Sequence, residues 1–250
     1  MASKLDVLLT PQGASPADVA GRVVVVIDVL RASTTIAVAL KNGARQIIPF
    51  ADAESVVTRA KALERRDVIL AGERNMGPVP GFDRGNSPRE FPPEVVEGKT
   101  ILMTTTNGTP LLASLAGARD VLVGSYVNFS AVLAYVRAAM RGGTDVLIAC
   151  AGRERQFSLE DTACAGRFVR HTTKGLPTVE LNDAARASLL VERRYRDDLG
   201  QLFAESSHGR ALVEAGYRED LAVCAGVDSY PVVPVYQERQ ITKLGPDRER

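Results

Sequence analysis

The chain has 250 residues, 45% of them hydrophobic and 24% charged, enough apolar material to bury a substantial core in one domain or two closely packed halves. Lys+Arg 31 against Asp+Glu 30 leaves a formal net charge of +1, so composition announces no basic face for nucleic acid, and no apolar run is long enough to span a bilayer. Three widely spaced cysteines without a CxxC pair point to reduced thiols in a cytoplasmic protein, and with only His171 and His208 available any metal would be held mainly by oxygen, which suits a hard cation such as Mg²⁺.

In chain order, short apolar runs recur at 5–9, 23–30, 46–50, 68–72, 100–105, 120–126 and 145–151. Stretches with helical spacing, 32–42, 52–65, 107–116, 128–141 and 159–172, fall between most of them. Strands alternating with helices of this length predict an α/β fold, three layers deep (α/β/α), with a largely parallel or mixed sheet. Residues 1–250 are expected to form a single compact domain. From 178 to 250 the chain changes character: 183–206 and 208–226 read as charged helices, and 232–244 as one or two late strands pairing at a sheet edge.

The first two thirds contain an internal echo. IDVLRASTTIAVALKNGARQIIPF, 27–50, aligns with LMTTTNGTPLLASLAGARDVLVGS, 102–125, and later AGER, 71–74, answers AGRE, 151–154. We infer a duplicated βαβαβ unit, 27–90 and 102–166, with strand ends meeting at a shared cleft. The simpler alternative is the general likeness of any two α/β units.

Between 71 and 91 the chain breaks into AGERNMGPVPGFDRGNSPREF, an irregular loop of the length that in compact domains is usually functional. Ligands of open α/β sheets bind beyond the carboxyl ends of the strands. Nearly every polar cluster of the first 170 residues lies at such an end: DVLRASTT, GERNMGPVPGFDRGNSP, TTTNGTP, GSYVNFS and CAGRERQFSLEDTACAG. Ser33, Thr34, Thr35, Asn128 and Ser130 read equally well as helix caps, and Glu160 and Asp161 as acids that suit a helix start, although capping and anion binding share one geometry. Asp28, which follows four valines and an isoleucine, is the sharper signal, because a carboxylate at a buried strand tip needs a partner or a cation. Neither GxxxxGK[ST] nor a strand-linked GxGxxG is present, and Cys150 lacks the Cys-x5-Arg spacing of a phosphatase nucleophile.

IDVLRASTTIAVALKNGA (27–44), AGERN (71–75), GFDRGNSPREF (81–91), TTTNGTPLL (104–112), GSYVNFSAV (124–132) and CAGRERQFSLEDTACAG (150–166) together resemble the signature blocks of the 2-phosphosulfolactate phosphatase family, as does SSHGRALVEAGYREDLAVC (206–224) more weakly. The resemblance implies a Mg²⁺-dependent phosphatase hydrolysing 2-phospho-3-sulfolactate to 3-sulfolactate and phosphate, a step of coenzyme M synthesis. A small, intensely anionic substrate requires charge neutralisation at several points. Asp28, Glu73 and Asp161 are the expected catalytic carboxylates and, with Glu160, the expected Mg²⁺ ligands, with Asp83 a further candidate. Arg31, Ser33, Thr34, Thr35, Arg74, Asn86, Ser87, Thr106, Asn107, Gly108, Thr109 and Asn128 are the expected substrate-binding residues. Hydrolysis would use metal-activated water or an aspartyl-phosphate on Asp28, and both readings stay open. So do a phosphatase for another small phosphorylated hydroxy acid and a non-catalytic anion-binding module. Nucleic acid and membrane are not expected partners, and homo-oligomers are common among enzymes of this size.

Overall fold

Five consecutive β-branched residues, Val23–Ile27, form a strand buried on both faces, and its side chains alternate between two cores. Val23, Val25 and Ile27 face one cluster with Phe129, Phe168 and Val169, whereas Val24 and Val26 face another with Ile36, Val38, Leu111 and Leu112. That alternation makes a sheet covered by helices on both sides, the α/β/α layering expected. The computed structural model describes residues 3–13, 15–176 and 178–245.

Along the chain, Ser3–Leu8 (β1) and the short helix Pro16–Val19 (α1) precede Val23–Ile27 (β2), Ala32–Lys41 (α2), Gln46–Phe50 (β3) and Ala53–Ala60 (α3). Val68–Arg74 (β4), Gly77–Pro78 (β5), Pro93–Val96 (α4), Thr100–Thr104 (β6), Gly108–Ala113 (α5), Asp120–Gly124 (β7), Phe129–Arg141 (α6), Val146–Cys150 (β8) and Leu159–Thr173 (α7) follow. The C-terminal region holds Val179–Leu181 (β9), Asp183–Tyr195 (α8), Leu199–Glu205 (α9), Ser207–Glu214 (α10), Arg218–Cys224 (α11), Pro234–Gln237 (β10) and Gln240–Lys243 (β11). Among the described residues no helix is long and apolar enough to cross a membrane.

The strands form one sheet in the order β5-β4-β6-β3-β11-β10-β7-β2-β8-β1-β9. β2 is parallel to β7 and β8, while β6 is parallel to β3 and β4. The first strand of each echoed segment is thus seated between the second and third strands of the other. Exchanging β2 with β6, β3 with β7, β4 with β8 and β10 with β11 leaves the order from β4 to β8 unchanged when read from the opposite end.

Several expectations are corrected. The late strands lie in the middle of the sheet and not at its edge: β10 pairs antiparallel with β7 and β11 antiparallel with β3, with Val235 and Ile241 buried. The reason is topological, since β3 and β7 would otherwise be two facing, unpaired edges. Each expected C-terminal helix is two helices: α8 is separated from α9 at Asp198, whose side chain caps α9 by accepting from Gln201 N–H, and α10 from α11 at Gly216 and Tyr217, after which Arg218 opens the new helix. Strands expected to reach 30, 105 and 126 stop at Ile27, Thr104 and Gly124, where polar residues turn the chain out of the sheet.

α7 and α8 pack through Gly166, whose missing Cβ would lie 2.1 Å from the Ser188 carbonyl oxygen and 2.7 Å from Glu192 Cβ. Gly166→Ala should therefore force the two helices apart at a cost of about 1–3 kcal/mol. In a thermal melt this reads as a loss of about 2–4 °C per kcal/mol for a chain of this size. An unchanged melting temperature would show that the helices are not so tightly apposed.

Candidate active site

The carboxyl ends of β2 and β6 meet at the starts of α2 and α5. The meeting depends on Gly108, where a Cβ would stand 2.9 Å from Asp28 Oδ2 and 3.2 Å from Ala32 Cβ. Asp28 is the first residue beyond β2, and Thr105 the first beyond β6. Each holds the start of the helix that follows: Ala32 N–H donates to Asp28 Oδ1 at 3.3 Å, and Thr109 N–H donates to Thr105 Oγ1 at 3.1 Å. One position further on, the pattern repeats. Thr106 N–H donates to Glu73 Oε1 at 2.7 Å, and Val29 N–H donates to Asp161 Oδ1 at 2.8 Å. Two carboxylates, one at the end of β4 and one in the first turn of α7, thus hold the amides one place beyond Asp28 and Thr105.

Around this junction is a cleft of about 200 Å³, lined by Asp28, Leu30, Arg31, Glu73, Asn75, Met76, Asn86, Thr105, Thr106, Asn107, Arg153, Glu154 and His208. Two tight hairpins form opposite lips. Each turns through two residues in the left-handed region, Asn75 and Met76 in one and Glu154 and Arg155 in the other. The AGER and AGRE echoes lead into these turns.

The expected catalytic acids take different places. Asp28 and Glu73 line the cleft. Asp161 stands behind it, its two oxygens accepting from Val29 N–H and from Gly152 N–H, the latter at 3.0 Å. Burial, with repulsion from Glu160 and Asp28, raises its carboxyl well above the usual range. Glu160 is also buried, and its Oε1 lies 3.3 Å from His208 Nδ1. Burial opposes its ionisation, but the hydrogen bond and charge of His208 outweigh that and hold the Glu160 carboxyl low. Among the described residues no three His, Cys, Asp or Glu side chains stand close enough to share one ion, so the four expected ligands divide into two that face the cleft and two that do not. Asp83 is remote from all of them, accepting from Leu70 N–H and pairing with Arg65.

Of the expected binding residues, Arg31, Asn86, Thr106 and Asn107 line the cleft, while Gly108 packs against Asp28 and Ala32 and Thr109 bonds Thr105. Arg31 is buried, its Nη1 2.7 Å from Asp220 Oδ2, its Nη2 donating to Met76 O at 2.8 Å, and its guanidinium 4.3 Å from the Tyr217 ring centroid. Ser87 donates to Asp220 Oδ1 at 2.6 Å, one step removed from the cleft. Asn86 is buried, and among the described residues its Oδ1 has no hydrogen-bond partner. An unpartnered buried amide oxygen at a cleft wall calls for an explanation, and amide orientation allows the side chain to present either oxygen or N–H₂.

Others do structural work. Ser33 Oγ accepts from Asp28 N–H, Thr34 Oγ1 donates to Val29 O, and Thr35 Oγ1 donates to Asn86 O. Arg74 turns outward to Glu73 O and Thr104 Oγ1, and Asn128 bonds Ser125 N–H, Val123 O and Val232 O well inside the sheet. The cysteines are buried, and burial pushes all three thiols up, Cys224 to about 12, so none is a thiolate nucleophile. Sequence reasoning missed Thr105, Arg153, Glu154, His208 and Asp220. A signal existed for His208 and Asp220 in the SSHGRALVEAGYREDLAVC block and for Thr105 in the threonine run, although nothing within that block singles out Asp220.

A sequence model of the family described as 2-phosphosulpholactate phosphatase matches residues 8–239. A probable 2-phosphosulfolactate phosphatase of Symbiobacterium thermophilum is 42% identical over 227 residues, covering 91% of this chain and 96% of its own. Proteins of the same description from Caldanaerobacter subterraneus subsp. tengcongensis (41% over 211 residues, 84% of this chain and 86% of its own) and Thermotoga maritima (36% over 232 residues, 92% and 94%) are similar along most of their length.

Burial, reinforced by Glu73 and Glu160 and only partly offset by His208 and Ala32 N–H, pushes the Asp28 carboxyl up to about 6. The folded protein then binds a proton more tightly than the unfolded chain, so this residue's contribution to stability falls as pH rises from about 4 to about 6. Asp28→Asn removes the ionisation and keeps the oxygen that accepts from Ala32. Without divalent cations it should melt higher than the parent at pH 7.5, by on the order of 2–3 kcal/mol, and lose most of that advantage near pH 4. A variant less stable than the parent at pH 7.5 would show that the charge is already compensated.

Proposed function

The chain belongs to the 2-phosphosulfolactate phosphatase family, and from that premise we propose that it hydrolyses 2-phospho-3-sulfolactate to 3-sulfolactate and phosphate, with Mg²⁺, as in coenzyme M synthesis. The observation that carries this reading is Asp28, a buried carboxyl pushed up to about 6, facing a small cleft where two helix starts converge.

The donor set fits the cation. Mg²⁺ takes oxygen ligands, keeps several waters and is commonly held by one or two carboxylates together with substrate phosphate. Asp28 and Glu73 are two such carboxylates on one cleft, mutually repelling, and the cleft's Arg31 is already matched by Asp220. They are the residues that would hold it. When bound, the ion would draw charge from the phosphoryl oxygens. The protein's own groups do the rest. Thr106 and Asn107, whose side chains line the cleft ahead of α5, orient the phosphoryl group, and Asn86 adds its side-chain amide.

His208 takes the proton role. Glu160 engages Nδ1 and orients the ring, which leaves Nε2 for the cleft and the leaving oxygen of the ester. Asp161 positions the Asp28 loop through Val29 and does not touch substrate. This assignment favours ligand over phosphoryl acceptor for Asp28, because Asp28 and Glu73 share the need for a cation.

The central test is turnover of 2-phospho-3-sulfolactate by Asp28→Asn across a Mg²⁺ titration. Turnover should fall by about 10³-fold, roughly 4 kcal/mol, at low Mg²⁺ and recover in part as Mg²⁺ rises. Abolition at every concentration with unchanged metal binding would instead make Asp28 the phosphoryl acceptor, and near-normal turnover would remove it from the mechanism. His208→Gln should lower kcat about 10²-fold for an alkyl ester but much less for an aryl phosphate whose leaving group needs no proton. Equal losses on both esters would exclude His208 as the proton donor.

A further inference from the structure

Among the described residues the basic groups lining the cleft are Arg31, Arg153 and His208. Two are matched by buried acids. Arg31 and Asp220 form an ion pair at 2.7 Å with side chains 2% and 1% exposed, and His208 stands against Glu160, which is 2% exposed. Arg153 is different. Its carboxylate neighbour, Glu154, is 3.9 Å away and 75% exposed, a pair that solvent screens almost completely.

The guanidinium is nonetheless aimed. Its Nη1 donates to Ser207 O at 3.0 Å, beside His208, and its side chain is 27% exposed at the cleft mouth. The backbone beneath it is fixed by a two-way pair with Gln156, Arg153 N–H to Gln156 O at 3.1 Å and Gln156 N–H to Arg153 O at 2.8 Å. Asn107 Oδ1, accepting from Glu154 N–H at 3.0 Å, ties the same hairpin to the start of α5. Arg153 therefore offers a positive charge, free donors and a rigid base on the cleft wall beside His208.

Resting on the phosphatase reading above, we propose that Arg153 is the specificity-determining residue that binds the substrate's second, non-reacting anion. Its partner is a carboxylate or sulfonate that its planar fork can grip through two oxygens. The cleft's other charges explain the need. Asp28 and Glu73 repel any anion that a cation does not cover, and Arg31 has no net charge to spare. A substrate bearing phosphate alone would leave Arg153 unused, so the residue selects for phosphorylated hydroxy acids over simple phosphate monoesters.

The test is Arg153→Gln, at a partly exposed site at the protein surface, with Arg153→Lys as the conservative variant. KM for 2-phospho-3-sulfolactate should rise about 10- to 100-fold in the glutamine variant, kcat should stay within about threefold, and lysine should restore part of the loss. Inhibition by inorganic phosphate, which needs only the phosphoryl subsite, should be unchanged. 2-Phospholactate separates the two sources of the anion: a parallel rise in its KM assigns the carboxylate to Arg153, and no rise assigns the sulfonate. An unchanged KM for 2-phospho-3-sulfolactate, or weakening of phosphate inhibition to the same degree, would overturn the proposal. If the parent releases no phosphate from either ester, the phosphatase reading fails. Calorimetric binding of 3-sulfolactate then decides on Arg153 separately, weaker binding by the glutamine variant supporting it and equal binding overturning it.

Discussion

Two helix starts can touch only where a side chain is missing, and the contact of Gly108 with Asp28 and Ala32 is the constraint on which this cleft depends. β2 and β6 belong to different parts of the sheet, with β3, β11, β10 and β7 between them. Their carboxyl ends converge because the crossovers that leave them pass over the middle of the sheet and meet. From that contact follow the paired bonds of Asp28 and Thr105 to the helix starts and the paired amide clamps of Glu73 and Asp161. A Cβ at position 108 would press on a buried carboxylate that already carries repulsion from Glu73 and Glu160.

That carboxylate sits in an environment that a stability criterion alone would not select. Asp28 is buried, has one long hydrogen bond from Ala32, and is repelled by Glu73 and Glu160. Elsewhere the same fold satisfies its buried charges well, as with Arg31 between Asp220, Met76 and Tyr217. Local violation of a rule that is obeyed nearby is the mark of a site kept for chemistry.

Much of this was legible in the sequence. The buried strands announced themselves because parallel strands covered on both faces read as continuous apolar runs, and the strand-end rule then placed Asp28, Glu73, Thr106 and Asn107 on one cleft. What could not be read was which polar residue faces inward. Ser33, Thr34, Thr35 and Asn128 are of the right type and in the right region, yet their hydrogen bonds run to backbone groups and, for Thr34, to Ser125. Arg74 and Arg153 occupy comparable places after the two echoed segments, and only the folding of their hairpins turns one outward and the other to the cleft. Long-range pairings such as Arg31 with Asp220, 189 residues apart, leave no local pattern at all. The placement of β10 and β11 failed for the same reason, since nothing in VVPVYQERQITKL distinguishes a peripheral strand from a central one.

The central position of β10 and β11 bears on how the protein is made. They are the last strands of the sheet to be synthesised, yet they are the only connection between β3 and β7. Until they leave the ribosome, a nascent chain would carry two apolar strand borders, Gln46–Phe50 and Asp120–Gly124, with their backbone groups open to any other strand. Translation proceeds at roughly 5–20 residues per second, so the exposure from β7 to β11 would last on the order of ten seconds. Chaperone dependence, and dimers formed by exchange of the late hairpin between neighbouring nascent chains, are hazards written into this connectivity and not into any single residue.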